Sequence, residues 1–184
     1  MSTFRGFIAI DIVATPQMIT FEKEIAKTGA DVKLVEPENI HITVKFLGDT
    51  NENHIDAIEQ SMKESVRALQ SFPITLKGTG VFPNQNYMKV IWIGIIDEGI
   101  IKTIAQAIDN TLVPLGFKKE NRGFSPHLTI GRVKTARKKD RLLEVISNYN
   151  EVEFTIQKVQ SIILKKSELT PKGPIYSNLR EVPL

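Results

Sequence analysis

A short motif, a histidine followed two residues later by a threonine, occurs twice in this chain and constrains its fold more than any other feature. The tetrapeptide HITV begins at His41, and HLTI begins at His127, 86 residues later. Both copies lie in β-branched runs, which favour strands. Because side chains on a strand point to alternate faces, each histidine shares a face with its own threonine, Thr43 or Thr129. The chain therefore presents the same pair of an imidazole and a hydroxyl twice.

Short predicted strands alternate with amphipathic helices along the 184 residues, which is typical of a mixed α+β domain. Each motif is followed by a predicted helix and then by a strand that opens Phe-x-Ile, at Phe72 and at Phe154. The similar offsets predict an internal duplication. We expect one domain over residues 1–184 with two lobes related by a pseudo-twofold axis. Each lobe is expected to be an antiparallel sheet with helices packed outside, and the active-site cleft to lie between them. Residues Val152–Leu164 are predicted to form one strand.

The composition of the chain excludes several classes of protein. The absence of cysteine rules out disulfides and cysteine-ligated zinc, and it is compatible with a reducing compartment. With 41% apolar and 24% charged residues, the chain is globular rather than disordered. The first residues lack the order of a secretory signal, and no apolar run approaches the roughly 18 residues of a membrane span. We therefore expect a cytoplasmic protein without membrane contact, and we expect it to be a monomer.

The two motifs together predict a site that cleaves phosphodiesters. A pseudo-twofold axis would bring the two pairs face to face across one pocket. In-line displacement at phosphorus needs a base on one side and an acid on the other, and two imidazoles titrating near pH 7 can fill both roles. The two hydroxyls can donate hydrogen bonds to the phosphate oxygens. Zinc needs three or four close ligands, and His54 lacks a partner threonine, so we expect neither metal nor cofactor.

The sequence around the motifs also resembles a known family. HITVKFLG from His41 and FSPHLTIGR ending at Arg132 are similar to the paired HXTX motifs of the two-histidine phosphoesterase superfamily. Within it, the match is to the RNA 2′,3′-cyclic phosphodiesterases, also called 2′-5′ RNA ligases. The segments RGFIAID, VEPENIHIT, GTGVFPN and KSELTPKGPIY resemble that family in the same order, so the likeness covers nearly the whole chain.

This resemblance implies hydrolysis of RNA 2′,3′-cyclic phosphate ends to 2′-phosphomonoesters, with 2′-5′ ligation as the reverse reaction. It implies that His41 is the general acid, that His127 is the general base, and that Thr43 and Thr129 hold the phosphate. The implied partner is RNA with a 2′,3′-cyclic terminus, and tRNA fragments are one candidate class. The residues alone leave two alternatives open: a non-catalytic protein that binds RNA ends, and a phosphodiesterase for small cyclic nucleotides.

Five further residues are candidates for substrate binding. Lys45 has the same strand parity as His41, so we expect it on the same face, where it could meet phosphate. Phe46 and Tyr176 are candidates for base stacking, although the parity of Phe46 favours packing in the core. Arg132 and Arg5 are candidates by family likeness, and the parity of Arg132 requires a twist or bulge before it can reach the pocket.

Nine basic residues and only two acidic ones lie between Gly116 and Arg141. The basic residues are Lys118, Lys119, Arg122, Arg132, Lys134, Arg137, Lys138, Lys139 and Arg141. A solvated surface explains such a run equally well. Because the run flanks the second motif, it also predicts a positively charged approach for RNA, whose binding would weaken as salt rises.

Overall fold

The computed structural model describes residues 2–120, 123–171 and 173–184, which form one antiparallel sheet of nine strands and four α-helices. The strands are β1 (Thr3–Asp11), β2 (Val32–Leu34), β3 (His41–Asn51), β4 (Phe72–Asn84), β5 (Tyr87–Ile96), β6 (His127–Val133), β7 (Glu153–Val159), β8 (Ser161–Thr170) and β9 (Gly173–Pro183). The helices are α1 (Pro16–Lys27), α2 (Ile55–Val66), α3 (Ile100–Leu112) and α4 (Lys139–Asn148). The strand order is β7-β4-β5-β6-β3-β1-β8-β9, and β2 pairs with β6.

The sheet consists of two halves that meet where β3 and β6 adjoin, with β7, β4, β5 and β6 in one half, β3, β1, β8 and β9 in the other, and the short β2 added beside β6. A single antiparallel pair, Ile42 and Leu128, joins the halves at this seam. The geometry of antiparallel strands places a local twofold axis between such a pair, and it relates residues 41 to 127 and 43 to 129. The predicted α+β fold with two pseudo-twofold lobes is confirmed, and the two lobes share one continuous sheet.

The helices cover the sheet face that carries the seam pair. Ile42 and Leu128 are fully buried in the same hydrophobic core as the apolar stripes of the four helices. The stripe of α3 shows why the sequence folds this way, since Ile101, Ile104 and Ile108 recur at helical spacing and are fully buried. Because strand side chains alternate, the histidines and threonines beside the seam pair project from the opposite face.

The predicted strand Val152–Leu164 is wrong, because the chain forms two strands there. Strand β7 ends at Val159 on one edge of the sheet, and β8 begins at Ser161 beside the strand at the other edge. One residue, Gln160, separates them, so the sheet must curl until its two ends approach each other. The segment contains neither a glycine nor a proline that would mark this corner in the sequence.

The repeated Phe-x-Ile does not reflect the pseudo-twofold relation. Strands β4 and β7 are neighbours in the same half, with Phe72 paired to Val159 and Leu76 to Thr155. Phe72 and Phe154 therefore lie on adjacent strands instead of at equivalent places in the two halves. The HITV and HLTI pair, in contrast, does lie across the seam.

A side-chain clasp ties the two halves together near the curl. The Gln157 side chain of β7 accepts a hydrogen bond from the Val13 N–H at 3.0 Å and donates one to the Val13 carbonyl at 2.7 Å. Val13 follows β1 of the other half.

None of the helices in the described parts of the chain has the length and apolar character needed to cross a membrane.

Candidate active site

The two motif histidines are held in the same way. His41 Nδ1 lies 2.7 Å from the carbonyl oxygen of Asn39, and His127 Nδ1 lies 2.9 Å from that of Ser125. A carbonyl oxygen only accepts, so Nδ1 carries the proton in both rings and donates it. Nε2 is therefore the nitrogen without a proton in the neutral form of each ring. This leaves each ring with one fixed nitrogen and one that is available for chemistry.

Each imidazole is also backed by a phenylalanine, Phe7 from β1, which adjoins β3, and Phe82 from β4, which is two strands away from β6. The ring centroid of Phe7 lies 5.0 Å from that of His41, and the centroid of Phe82 lies 5.0 Å from that of His127. His41 Nε2 lies 3.1 Å from Thr43 Oγ1, so the neutral imidazole can accept a hydrogen bond from this hydroxyl. Thr129 lies beside His127 on the same face of β6.

The surroundings of His41 favour its neutral form. Burial lowers the pKa of His41 below its usual value, and the hydrogen bond to Asn39 opposes this change. Positive charge on Lys165 lowers the pKa further, the carboxylate of Asp11 raises it, and Arg132 from the other half lowers it. Desolvation and the two cations therefore disfavour the imidazolium form of His41, and the one nearby carboxylate favours it.

A β-bulge in β3 changes which residues share the face of His41. In the pairing with β1, Thr43 lies opposite Ala9, whereas the next paired residue, Lys45, lies opposite Ile8. Val44 is the extra residue between them. The bulge turns Phe46 onto the His41 face and Lys45 onto the helix-covered face.

The prediction that Lys45 shares the face of His41 is therefore wrong. Lys45 is 8% exposed, forms an ion pair with Asp109 of α3, and donates a hydrogen bond to the Lys118 carbonyl at 2.7 Å. It stabilises the packing of a helix and a loop on the sheet. The preference for Phe46 in the core is also wrong, since Phe46 is 69% exposed, with its ring centroid 6.5 Å from that of Phe7.

An equivalent bulge in β6 brings Arg132 to the face of His127. Thr129 pairs with Trp92 of β5, and Gly131 pairs with Ile91, so Ile130 is the extra residue. The bulge supplies the change of parity that a regular strand would not allow. Arg132 thus occupies the position in the second half that Phe46 occupies in the first.

Tyr176 and Arg5 complete the border of the first half. The ring centroid of Tyr176 lies 5.3 Å from that of His41, at 90°, and 5.1 Å from that of Phe7. Burial raises the pKa of Tyr176, and the charges of Arg132 and Arg5 oppose that change. Arg5 is exposed on β1, on the same face as Phe7. The structure thus brings cations from both halves towards one tyrosine.

A cavity lies beside the motif pairs rather than on them. It measures about 530 Å³ and is lined in part by Phe46, His54, Phe117 and Lys118. Phe46 borders both this cavity and the His41 face.

The third histidine of the chain, His54, directly precedes α2, and its ring centroid lies 6.0 Å from that of Phe117. Among the described residues, no group of three or more histidine, aspartate or glutamate side chains could hold a metal ion.

A model of the 2′-5′ RNA ligase superfamily matches residues 16–168 of this chain, which include both motifs. The chain belongs to the 2′-5′ RNA ligase superfamily. Its relatives in this superfamily include a protein of Methanocaldococcus jannaschii named RNA 2′,3′-cyclic phosphodiesterase, which is 43% identical over 182 residues, or 96% of this chain and 99% of that protein. A protein of the same name from Methanothermobacter thermautotrophicus is 38% identical over 177 residues, or 95% of this chain and 96% of that protein.

Solved structures show the same fold. The crystal structure of TT0787 from Thermus thermophilus matches with a TM-score of 0.79 at 25% identity, covering 98% of this chain and 97% of that one. Apo LigT of Escherichia coli matches with a TM-score of 0.72 at 22% identity, covering 100% of this chain and 98% of LigT. The chain thus has the same architecture as these two solved structures over nearly its whole length.

Four residues near the motif histidines were not found from the sequence. Phe7 and Phe82 back the two imidazoles, and Asp11 and Lys165 supply charge beside His41. In the sequence, Phe7 in RGFIAID and Phe82 in GTGVFPN look like ordinary strand residues. The signal that could have marked Lys165 is a lysine that directly follows the apolar run Ile162–Leu164.

Proposed function

We propose that this chain hydrolyses the 2′,3′-cyclic phosphate ends of RNA to 2′-phosphomonoesters by acid–base catalysis with two histidines. The observation that carries the proposal is the pair of His–Thr arrangements related across the Ile42–Leu128 seam, each with Nδ1 fixed by a backbone carbonyl. The names of the relatives at 38% and 43% identity support the substrate class.

In the proposed reaction, His127 Nε2 takes a proton from water while the water oxygen attacks phosphorus. The bond from phosphorus to O3′ breaks, and His41 Nε2 delivers its proton to that leaving oxygen. The products are a 2′-phosphomonoester and a free 3′-hydroxyl, and each imidazole ends in the protonation state opposite to its starting one. Proton transfers of this kind contribute about 10²- to 10⁴-fold each to rates.

The remaining residues would bind the substrate around these two imidazoles. Thr43 and Thr129 would donate to the phosphate oxygens, which gain charge in the transition state. Arg132 would supply positive charge from the second half. Phe46 and Tyr176 would stack on an unpaired base, since single-stranded RNA ends are recognised mainly through such contacts. Lys45 takes no part in this proposal.

We also infer that one copy of the chain suffices and that residues 1–184 act as a single domain that arose by internal duplication. All four motif residues come from one chain, on two strands that meet at the seam. Arg5, on the rim of the first half, would meet an RNA phosphate outside the reacting one. The reverse reaction with a 5′-hydroxyl RNA would form the 2′-5′ linkage.

The test is incubation with a short RNA that carries a 2′,3′-cyclic end, with chromatographic separation of 2′- and 3′-phosphate products. We expect the 2′-phosphate alone, and we expect turnover to survive a chelator. His41→Ala and His127→Ala should each lower kcat by about 10²- to 10⁴-fold while RNA binding persists.

His54→Ala is the matched control, because it removes the third histidine without touching either motif. Its turnover should equal that of the unmodified protein. Binding of the RNA end without any turnover would identify a non-catalytic binder. Turnover of small 2′,3′-cyclic nucleotides but not of RNA would place the substrate among mononucleotides, and both results contradict the proposal.

A further inference from the structure

A buried ion pair lies beside His41 and has no place in the reaction described above. Lys165 of β8 is 8% exposed, and its Nζ lies 2.8 and 2.9 Å from the two carboxylate oxygens of Asp11 and 2.8 Å from Asn178 Oδ1. An ammonium group loses its water at such a position, so it is retained only with good partners. The Asp11 side chain is 46% exposed, so one end of this ion pair faces solvent.

Strand register places this ion pair on the face of the imidazole. Asp11 pairs directly with His41 across β1 and β3. Lys165 pairs with Phe7 across β8 and β1, and the ring of Phe7 contacts the His41 imidazole with centroids 5.0 Å apart. The two charges therefore approach the ring from two neighbouring strands.

We propose that Lys165 and Asp11 are positioning residues that together set how readily His41 holds a proton. The inference rests on the proposed function only in taking this proton to be the one transferred in catalysis. Neither residue needs to touch the substrate. Lys165 repels the imidazolium form, and Asp11 stabilises it, so the balance between them fixes the protonation of the ring.

Besides Lys165 and Asp11, three titratable or charged groups of the described residues lie on the side of His41. They are Arg132 and His127 on β6 and the phenol of Tyr176 on β9. The charges of Lys165 and Arg132 lower the pKa of His41, and that of Asp11 raises it, in agreement with the geometry.

The arrangement explains why Lys165, a buried cation, lies beside His41, which must be protonated to act as the proposed acid. Before substrate binds, Lys165 and desolvation favour the neutral form of His41. A bound phosphate anion adds negative charge beside the same ring, so the imidazolium becomes favourable only when substrate is present. The cleft then takes up its proton together with the phosphate.

The test is a titration of the His41 imidazole by NMR, which needs no turnover. With only three histidines in the chain, each resonance can be assigned by its own His→Gln variant. Asp11→Asn leaves the charge of Lys165 uncompensated and should lower the His41 midpoint. Lys165→Met leaves Asp11 uncompensated and should raise it. A charge this close in the sheet should move the midpoint by about one pH unit, and the midpoint of the double variant should lie between those of the two single variants.

The control is the exposed ion pair of Lys166 and Glu168 on the same strand, whose nitrogen and oxygen are 3.1 Å apart. Lys166→Met and Glu168→Gln make the same changes of charge and should leave the His41 midpoint in place. Unchanged His54 and His127 resonances establish that each variant is folded. Shifts of the same sign in Asp11→Asn and Lys165→Met, or no shift in either, would overturn the inference. Failure of RNA turnover with the opposite shifts intact would refute only the proposed function.

Discussion

At the scale of single residues, the two motif histidines are alike in how they are held and unlike in what surrounds them. Both fix Nδ1 on the carbonyl two residues earlier in the chain. Burial and two cations act on His41, with Asp11 as the opposing carboxylate. In the proposed reaction, His41 must therefore take up its proton against burial and two cations before it can act as the acid.

The lowered pKa of His41 predicts the pH dependence of the reaction. If His41 is the acid, kcat/KM requires it to be protonated in the free enzyme and declines once pH exceeds its pKa. We therefore expect the alkaline limb of kcat/KM below pH 6.5, the usual value for histidine. A bound phosphate anion favours the imidazolium, so the alkaline limb of kcat should lie at higher pH.

Steady-state rates from pH 4.5 to 9 on the cyclic-phosphate RNA measure both limbs. Two results together would assign His41 as the base instead. The alkaline limb of kcat/KM would lie above pH 7, and the acid limb would move in Asp11→Asn and Lys165→Met. A profile without two limbs would contradict a mechanism based on paired imidazoles.

At the scale of elements, strand parity predicted the motif pairs correctly and failed two or three residues beyond them. His41 and Thr43 precede the bulge at Val44, so alternation holds between them. Lys45 and Phe46 follow it, and their faces are exchanged. A bulge made by a valine or an isoleucine carries no mark in the sequence, unlike one made by a glycine, so only strand pairing shows it.

Helix α1 carries a feature that the sequence does not show, a buried carboxylate. Burial, with a smaller effect of Glu36, raises the pKa of Glu22 to about 7. The folded protein therefore binds a proton that the unfolded chain releases near pH 4.5. Folding stability from this group is present at low pH and is lost as pH rises from about 4.5 to 7.

We expect Glu22→Gln to remove this pH dependence and to stabilise the protein at pH 8, by up to about 3 kcal/mol. Urea unfolding at pH 5 and pH 8 measures the effect, since the variant should gain little at the lower pH. Glu144→Gln on the exposed face of α4 is the control and should change neither value. Equal gains for Glu22→Gln at both pH values would show that charge is not the cause.

At the scale of the whole molecule, the arrangement of the strands in two halves could be predicted only in part. The two motifs identified the strands that meet at the seam, because chemistry constrains their residues. The assignment of strands β4, β7 and β8 to the two halves could not be found, because a strand records which face is buried and not which neighbour it pairs with. Gln160, a single polar residue, is where the chain passes back to the half that contains β1 and β3.

The basic run between Gly116 and Arg141, which lies on both sides of β6, is exposed along most of its described length, and Arg122 lies outside the described residues. We expect RNA binding to weaken with salt and the double variant Lys134→Gln, Arg137→Gln to lower the slope of log K against log salt. If both side chains meet phosphates of single-stranded RNA, the slope should fall by about 1.4. Fluorescence anisotropy of a labelled RNA at several salt concentrations measures it.

The control removes the same charge from α2 and the residue that follows it, with Lys63→Gln and Arg67→Gln, whose partners are Glu59 and Glu64. This variant should keep the slope of the unmodified protein. Equal slopes in both double variants and the unmodified protein would mean that the run is ordinary solvated surface.

The equivalent positions of Phe46 and Arg132 have a consequence for regiochemistry. In the proposed reaction, a cyclic phosphate could present either ring oxygen to His41, because the two imidazoles are related by a twofold axis. An aromatic ring on one flank and a guanidinium on the other make the two orientations energetically unequal. The isomer of the product is then decided by the side chains that differ between the halves, and not by the histidines that they share.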